Sequence, residues 1–90
     1  MQIKKKLLIT NKLGLHARAA TQLVQVSQAY KSNINLICAG KSANANSVMA
    51  LLMLAGATGT EIEVECTGPD AELALQAIEA LINAKFNETE

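Results

Sequence analysis

Apolar and charged side chains alternate without exception along Glu61-Ile62-Glu63-Val64-Glu65-Cys66, the clearest strand pattern in the chain. One face of such a strand is buried and the other wet, as in an antiparallel sheet covered on one side. Residues 3–10 form a less regular strand, with Ile3, Lys5, Leu7 and Ile9 on one face and Lys4, Lys6 and Leu8 on the other. A third strand runs over 34–38, placing Ile34, Leu36 and Cys38 together. The tight turn Ala39-Gly40-Lys41 then leads into a hairpin partner at 42–45.

The period changes from two to 3.6 in three places. Ala20, Leu23, Val24 and Ser27 fall at helical spacing and predict a helix from Ala17 towards Tyr30. Periodicity alone does not decide the apolar run at 48–54, but its Met, Ala and Leu content favours a short helix. Ser47 stands in the N-cap position before that run, and Gly56 and Gly59 follow it. After Gly68-Pro69-Asp70, the stripe Ala74, Ile78, Leu81 and Ile82 predicts a final helix ending near Phe86, with 87–90 a polar, frayed tail. Strand, helix, strand, strand, helix, strand, helix is the order of a two-layer α+β domain, with helices on one face of a four-stranded antiparallel sheet. Ninety residues allow one core, so 1–90 is expected to be a single domain.

Composition narrows the function classes. Eight basic and eight acidic side chains cancel, which argues against a nucleic-acid binder working by phosphate neutralisation. The longest apolar run, 48–55, has eight residues, against the roughly 18 of a membrane span. Lys4 to Lys6 have no apolar signal core behind them, and a reducing cytoplasm fits best. Cys38 and Cys66 form no Cys-x-x-Cys pair, and with a single histidine they cannot complete a four-ligand zinc site without carboxylates. No metal and no cofactor is expected. Both cysteines fall on apolar strand faces and read as buried, reduced thiols.

The only histidine and the only arginine lie two residues apart, in Leu13-Gly14-Leu15-His16-Ala17-Arg18-Ala19-Ala20. A glycine-containing loop delivers His16 to the first turn of a helix, where unpaired N–H groups and a partial positive charge suit a phosphate. That environment favours the uncharged imidazole, the form able to act as a nucleophile. Attack on a phosphoryl group would leave a dianionic phosphohistidine beside free donors, with the Arg18 guanidinium suited to its oxygens. A bland reading fits the same residues, with His16 a solvated cap and Arg18 a surface charge. Arg18, however, is misplaced for that reading, because the start of a helix prefers acids.

Gly14-Leu15-His16-Ala17-Arg18-Ala19-Ala20 resembles the active-site signature of the HPr family, the histidine-containing phosphocarriers of the bacterial phosphotransferase system. The segment 41–47 with the apolar helix after it resembles that family's second signature, and the element order matches across essentially the whole chain. Segments 11–16 and 45–54 look most like the nitrogen-related branch, NPr. The resemblance implies a sheet of strand order 1-4-2-3 with three helices on one side. It implies that His16 accepts a phosphoryl group on Nδ1 from Enzyme I, ultimately from phosphoenolpyruvate, and passes it to an EIIA-type protein, with Arg18 assisting. The chain would then be a substrate of phosphotransferases and not an enzyme. Ser47 matches the serine that a regulatory kinase modifies in some members, although a serine before an apolar helix is first of all an N-cap. Where the family usually has proline, this chain has Ala19. Alanine keeps the helix and restores an N–H beside the phosphate site, so phosphoryl acceptance is expected to survive with a looser loop.

A short helix over a one-sided sheet cannot bury every face of the apolar run. Val48, Met49, Leu52 and Met53 are therefore expected to join Leu15, Ala17 and Ala20 in a partner-docking surface around His16, with methionine adapting to donor and acceptor in turn. The chain is expected to be monomeric. Two rivals are a small hydrolase handling phosphate or acyl-phosphate compounds, with Arg18 as anion clamp, and a purely regulatory interaction domain in which His16 is incidental.

Overall fold

The computed structural model describes residues 1–54 and 56–87. Its strands are β1 (Gln2–Leu8), β2 (Asn33–Cys38), β3 (Lys41–Asn44) and β4 (Glu61–Thr67), and its helices α1 (Ala17–Gln28), α2 (Val48–Met53) and α3 (Ala71–Asn83). All neighbouring strands are antiparallel, in the order β1-β4-β2-β3. The two-layer α+β arrangement and the strand order are as expected.

Register explains which face is covered. Ile3 lies opposite Cys66, Lys5 opposite Val64 and Leu7 opposite Ile62, so these pairs share the helix-side face. There Leu7, Ile34, Leu36, Ile62, Val64 and Cys66 meet Leu23, Leu51, Ile78 and Ile82 from the three helices in one buried cluster. Lys5 is the exception on that face. It stands near the sheet edge and reaches α3, where its ammonium donates to the Glu79 carboxylate at 2.7 Å. An inward-pointing charge on an edge strand discourages pairing with a further strand. Lys4, on the open face, meets Glu65 at 3.3 Å.

Element ends depart from the sequence pattern where backbone bonds, not side chains, decide them. β1 stops at Leu8 and not at residue 10, yet Ile9 still exchanges backbone bonds with Thr60 and Gly59. α1 ends at Gln28, short of Tyr30, with Ala29 and Tyr30 closing its last turn onto Val26 and Ser27. The final helix ends at Asn83. A turn over Lys85–Asn87 follows in the left-handed region, with φ of 56°, 54° and 60°. That reversal tucks Phe86 into the core with no exposure at all. Asn87, expected in a frayed tail, belongs to this turn, and the rest of that tail lies outside the described residues.

Asp70 begins α3 without capping it. Its carboxylate turns back to the α1–β2 loop and accepts from the Lys31 N–H at 2.9 Å, the Ser32 N–H at 2.8 Å and the Ser32 hydroxyl at 2.5 Å. The Ser32 hydroxyl above all, then the Lys31 amide, holds the carboxyl below its ordinary range. Gly68 makes the approach possible: at φ +147° it faces Ser32 so closely that a Cβ would lie 2.7 Å from the Ser32 Cα.

Candidate functional site

The loop before α1 is held from both sides. The Asn11 side-chain amide donates to the Gly14 carbonyl at 2.8 Å, and the Leu15 N–H donates to the Gly56 carbonyl at 2.8 Å. Gly14 has φ +65°, and a Cβ there would stand 2.3 Å from the Gly56 oxygen, so at this point the two backbones approach too closely for a side chain. Leu15 is 6% exposed and plugs into the core on one side of His16, while Ala19 and Ala20, both at 0%, anchor α1 on the other. The histidine is therefore carried between two buried anchors and is itself half-exposed.

His16 is the N-cap residue of α1, with extended backbone (φ −82°, ψ 178°), and so stands one residue before the first turn in which the sequence placed it. Its Nδ1 accepts the Arg18 N–H at 3.2 Å, and its carbonyl accepts the Ala20 N–H at 2.9 Å. Only an unprotonated nitrogen can accept, so the Nδ1 lone pair points at the start of the helix. No acidic residue occupies the first turn of α1. Arg18 is exposed and forms no ion pair among the described residues. The Nδ1 lone pair thus lies among the first-turn amide donors of α1, with Arg18 in the same turn.

A family profile described as the PTS HPr component phosphorylation site matches residues 3–84. The chain belongs to the PTS HPr family. It is 49% identical to phosphocarrier protein NPr of Escherichia coli K12 over 89 residues, covering 98% of this chain and 99% of that protein. To phosphocarrier protein HPr of Xylella fastidiosa 9a5c it is 43% identical over 86 residues, covering 96% and 97%. The crystal structure of HPr-C-His from Thermoanaerobacter tengcongensis superposes with a TM-score of 0.92 at 34% identity, over 98% of this chain and 99% of that one. This HPr-family chain is a phosphocarrier of the phosphotransferase system, a component that bears the phosphoryl group and does not catalyse turnover. None of these relatives favours the hydrolase or the regulatory-domain reading.

The expected docking surface needs correction at two positions. Ala20 has no exposed surface and Leu15 almost none, so neither presents a side chain to a partner. Both are anchors instead, because the helical stripe that holds Ala20 is the one facing the sheet. Met49 (70%), Met53 (72%) and Leu52 (36%) do stand exposed on α2. Ala17 is also exposed and Val48 half-buried. Ser47 caps α2, its hydroxyl accepting the Ala50 N–H at 3.1 Å.

One contact escaped sequence reasoning. The Ser27 hydroxyl, buried on α1, lies 2.8 Å from the Asn46 side-chain oxygen and 3.1 Å from the Ala45 carbonyl, tying α1 to the segment just before Ser47. A serine in the middle of an otherwise apolar helical stripe was the available signal.

Cys38 and Cys66 are buried and free. Burial, then the Asp70 and Glu65 carboxylates, pushes the Cys66 thiol up to about 11. Among the described residues no three His, Cys, Asp or Glu side chains converge as a metal site, and no helix is long and apolar enough to cross a membrane.

Proposed function

We propose that His16 is the phosphoryl-bearing residue of this carrier and Nδ1 its acceptor atom. The Nδ1 lone pair aimed at the acid-free start of α1 carries the reading. In the step, that lone pair forms the N–P bond while the bond from phosphorus to the donor breaks, its electron pair leaving with the donor. The Arg18 N–H, released from Nδ1, turns to a phosphoryl oxygen, and the guanidinium offsets the added negative charge. Return of the group to an acceptor reverses each movement.

The donor is an Enzyme I-type protein charged from phosphoenolpyruvate and the acceptor an EIIA-type protein, both met in the cytoplasm. Higher identity to NPr than to HPr among the relatives above supports the nitrogen-related branch. Residues 1–90 act as one HPr-like unit, monomeric in solution. Exposed Met49, Leu52 and Met53, with Val48 and Ala17, form the surface on which both partners dock in turn. Ser47 is the regulatory site: a serine kinase acting there would place a dianion beside Val48 and Met49 and weaken docking.

The test is incubation with Enzyme I and phosphoenolpyruvate. An acid-labile, alkali-stable phosphate is expected in the native chain and none in His16→Ala. Label that persists in His16→Ala would overturn the assignment. For the docking surface, titration with Enzyme I should move the Met49 and Met53 methyl resonances, and unmoved methyls would exclude it.

A further inference from the structure

The first turn of α1 holds three backbone N–H groups with no carbonyl to receive them. Ala20 is the first residue whose N–H reaches one, that of His16. The Arg18 N–H is taken up by Nδ1, whereas the Ala17 and Ala19 amides make no hydrogen bond among the described residues. Ala19 differs from Ala17 and Arg18 in one respect: they are exposed and its side chain is wholly buried. Its methyl is locked into the core, so its peptide plane cannot swing away. A donor fixed in this way is oriented before any anion arrives and needs no reorganisation to bind one.

We infer that the backbone N–H of Ala19 is a third ligand of the phosphoryl group on His16, and that it makes the phosphorylated carrier hold that group more tightly. Three phosphoryl oxygens then face three amide donors from consecutive residues. The Ala19 bond exists only while the phosphoryl group is in place, because the bare imidazole already draws its donor from Arg18. It therefore shifts the exchange equilibrium with the donor protein towards the carrier and leaves the unphosphorylated chain unchanged. A hydrogen bond to a dianion is worth about tenfold in such an equilibrium. The inference rests on His16 being the phosphoryl acceptor.

The test removes this one donor. In a semisynthetic chain with L-lactate in place of Ala19, an ester oxygen replaces the N–H and the buried methyl stays. Ala19→Pro also removes the N–H, at a first-turn position that proline tolerates. Each chain is equilibrated with phosphorylated Enzyme I and the phosphorylated fraction is measured. Both variants should settle about tenfold further towards the unphosphorylated carrier than the native chain. In the native chain the Ala19 amide proton should move downfield on phosphorylation. An ester variant within twofold of the native equilibrium overturns the inference, even if Ala19→Pro shifts, since the ring's packing is then the cause. Label on His16 with an unmoved Ala19 amide overturns it as well. Absence of label on His16 in the native chain fails earlier and overturns the acceptor assignment itself.

Discussion

The chain has one histidine and one aspartate, and each stands at the start of a long helix. His16 caps α1 through its own Nδ1 and leaves the first turn free of acid. Asp70 opens α3, gives its carboxylate to Lys31 and Ser32, and is followed by Glu72 in the first turn. The helix macrodipole is the same in both, but α3 meets it with fixed acids while α1 leaves it unopposed. A helix start satisfied by permanent charge serves stability, and one kept open can receive charge that comes and goes.

The loops behind the two sites offer the harshest way to break the contrast. Gly14→Ala and Gly68→Ala each force a Cβ into neighbouring backbone at positive φ. Each should cost about 2–4 kcal/mol in urea unfolding. Only Gly14→Ala should also slow phosphoryl acceptance, because only that loop delivers His16. Equal loss of acceptance in both variants would show that the two helix starts are not separate in function.

Ala17→Asp sharpens the comparison by making α1 resemble α3. A carboxylate in the first turn should stabilise the fold by ~0.3–1 kcal/mol in thermal unfolding. The same charge repels the phosphoryl group and should lower its rate of acceptance by about tenfold, as a like charge in contact does. A variant that gained stability and kept its full rate would deny the open helix start any role.

Asp70→Asn gives the smallest effect and one that depends on pH. Its carboxyl is held low in the folded chain, so its stabilising contribution is present above the ordinary carboxylate range and is lost as pH falls through the folded value. The variant should therefore be less stable than the native chain at pH 7 and equal to it in strong acid, with phosphoryl acceptance unchanged. A stability gap that persisted undiminished in acid would mean that the Ser32 contacts do not depend on charge.

Legibility in the sequence followed the physics of each element. The strand at 61–67 was plain because one wet face leaves a strict alternation. The loop-to-helix placement of His16 was plain as well, but its N-cap geometry was not, since extended or helical backbone at one residue leaves no trace in side-chain periodicity. The spacing of Ala20 to Leu23 and Ser27 puts it on the buried stripe, and that helical period outweighs its nearness to His16 in sequence. The Asp70–Ser32 contact spans 38 residues and no local pattern announces it. The helical period runs on towards Phe86, because nothing in Ala-Lys-Phe-Asn signals three left-handed residues.

The position of β4 bears on how the molecule comes to exist. Among the described residues β1 has no strand neighbour other than β4, and Gln2 pairs with Thr67 across most of the chain. The hairpin of β2 and β3 can close early, since its partners are near in sequence. β1 must wait through synthesis until the residues of β4 emerge, with its backbone unpaired and its lysines keeping it in water. Ordering the sheet is therefore a search across a long loop, and such non-local closure sets the pace of folding. A strand that arrives late thus joins two halves that were made at different times.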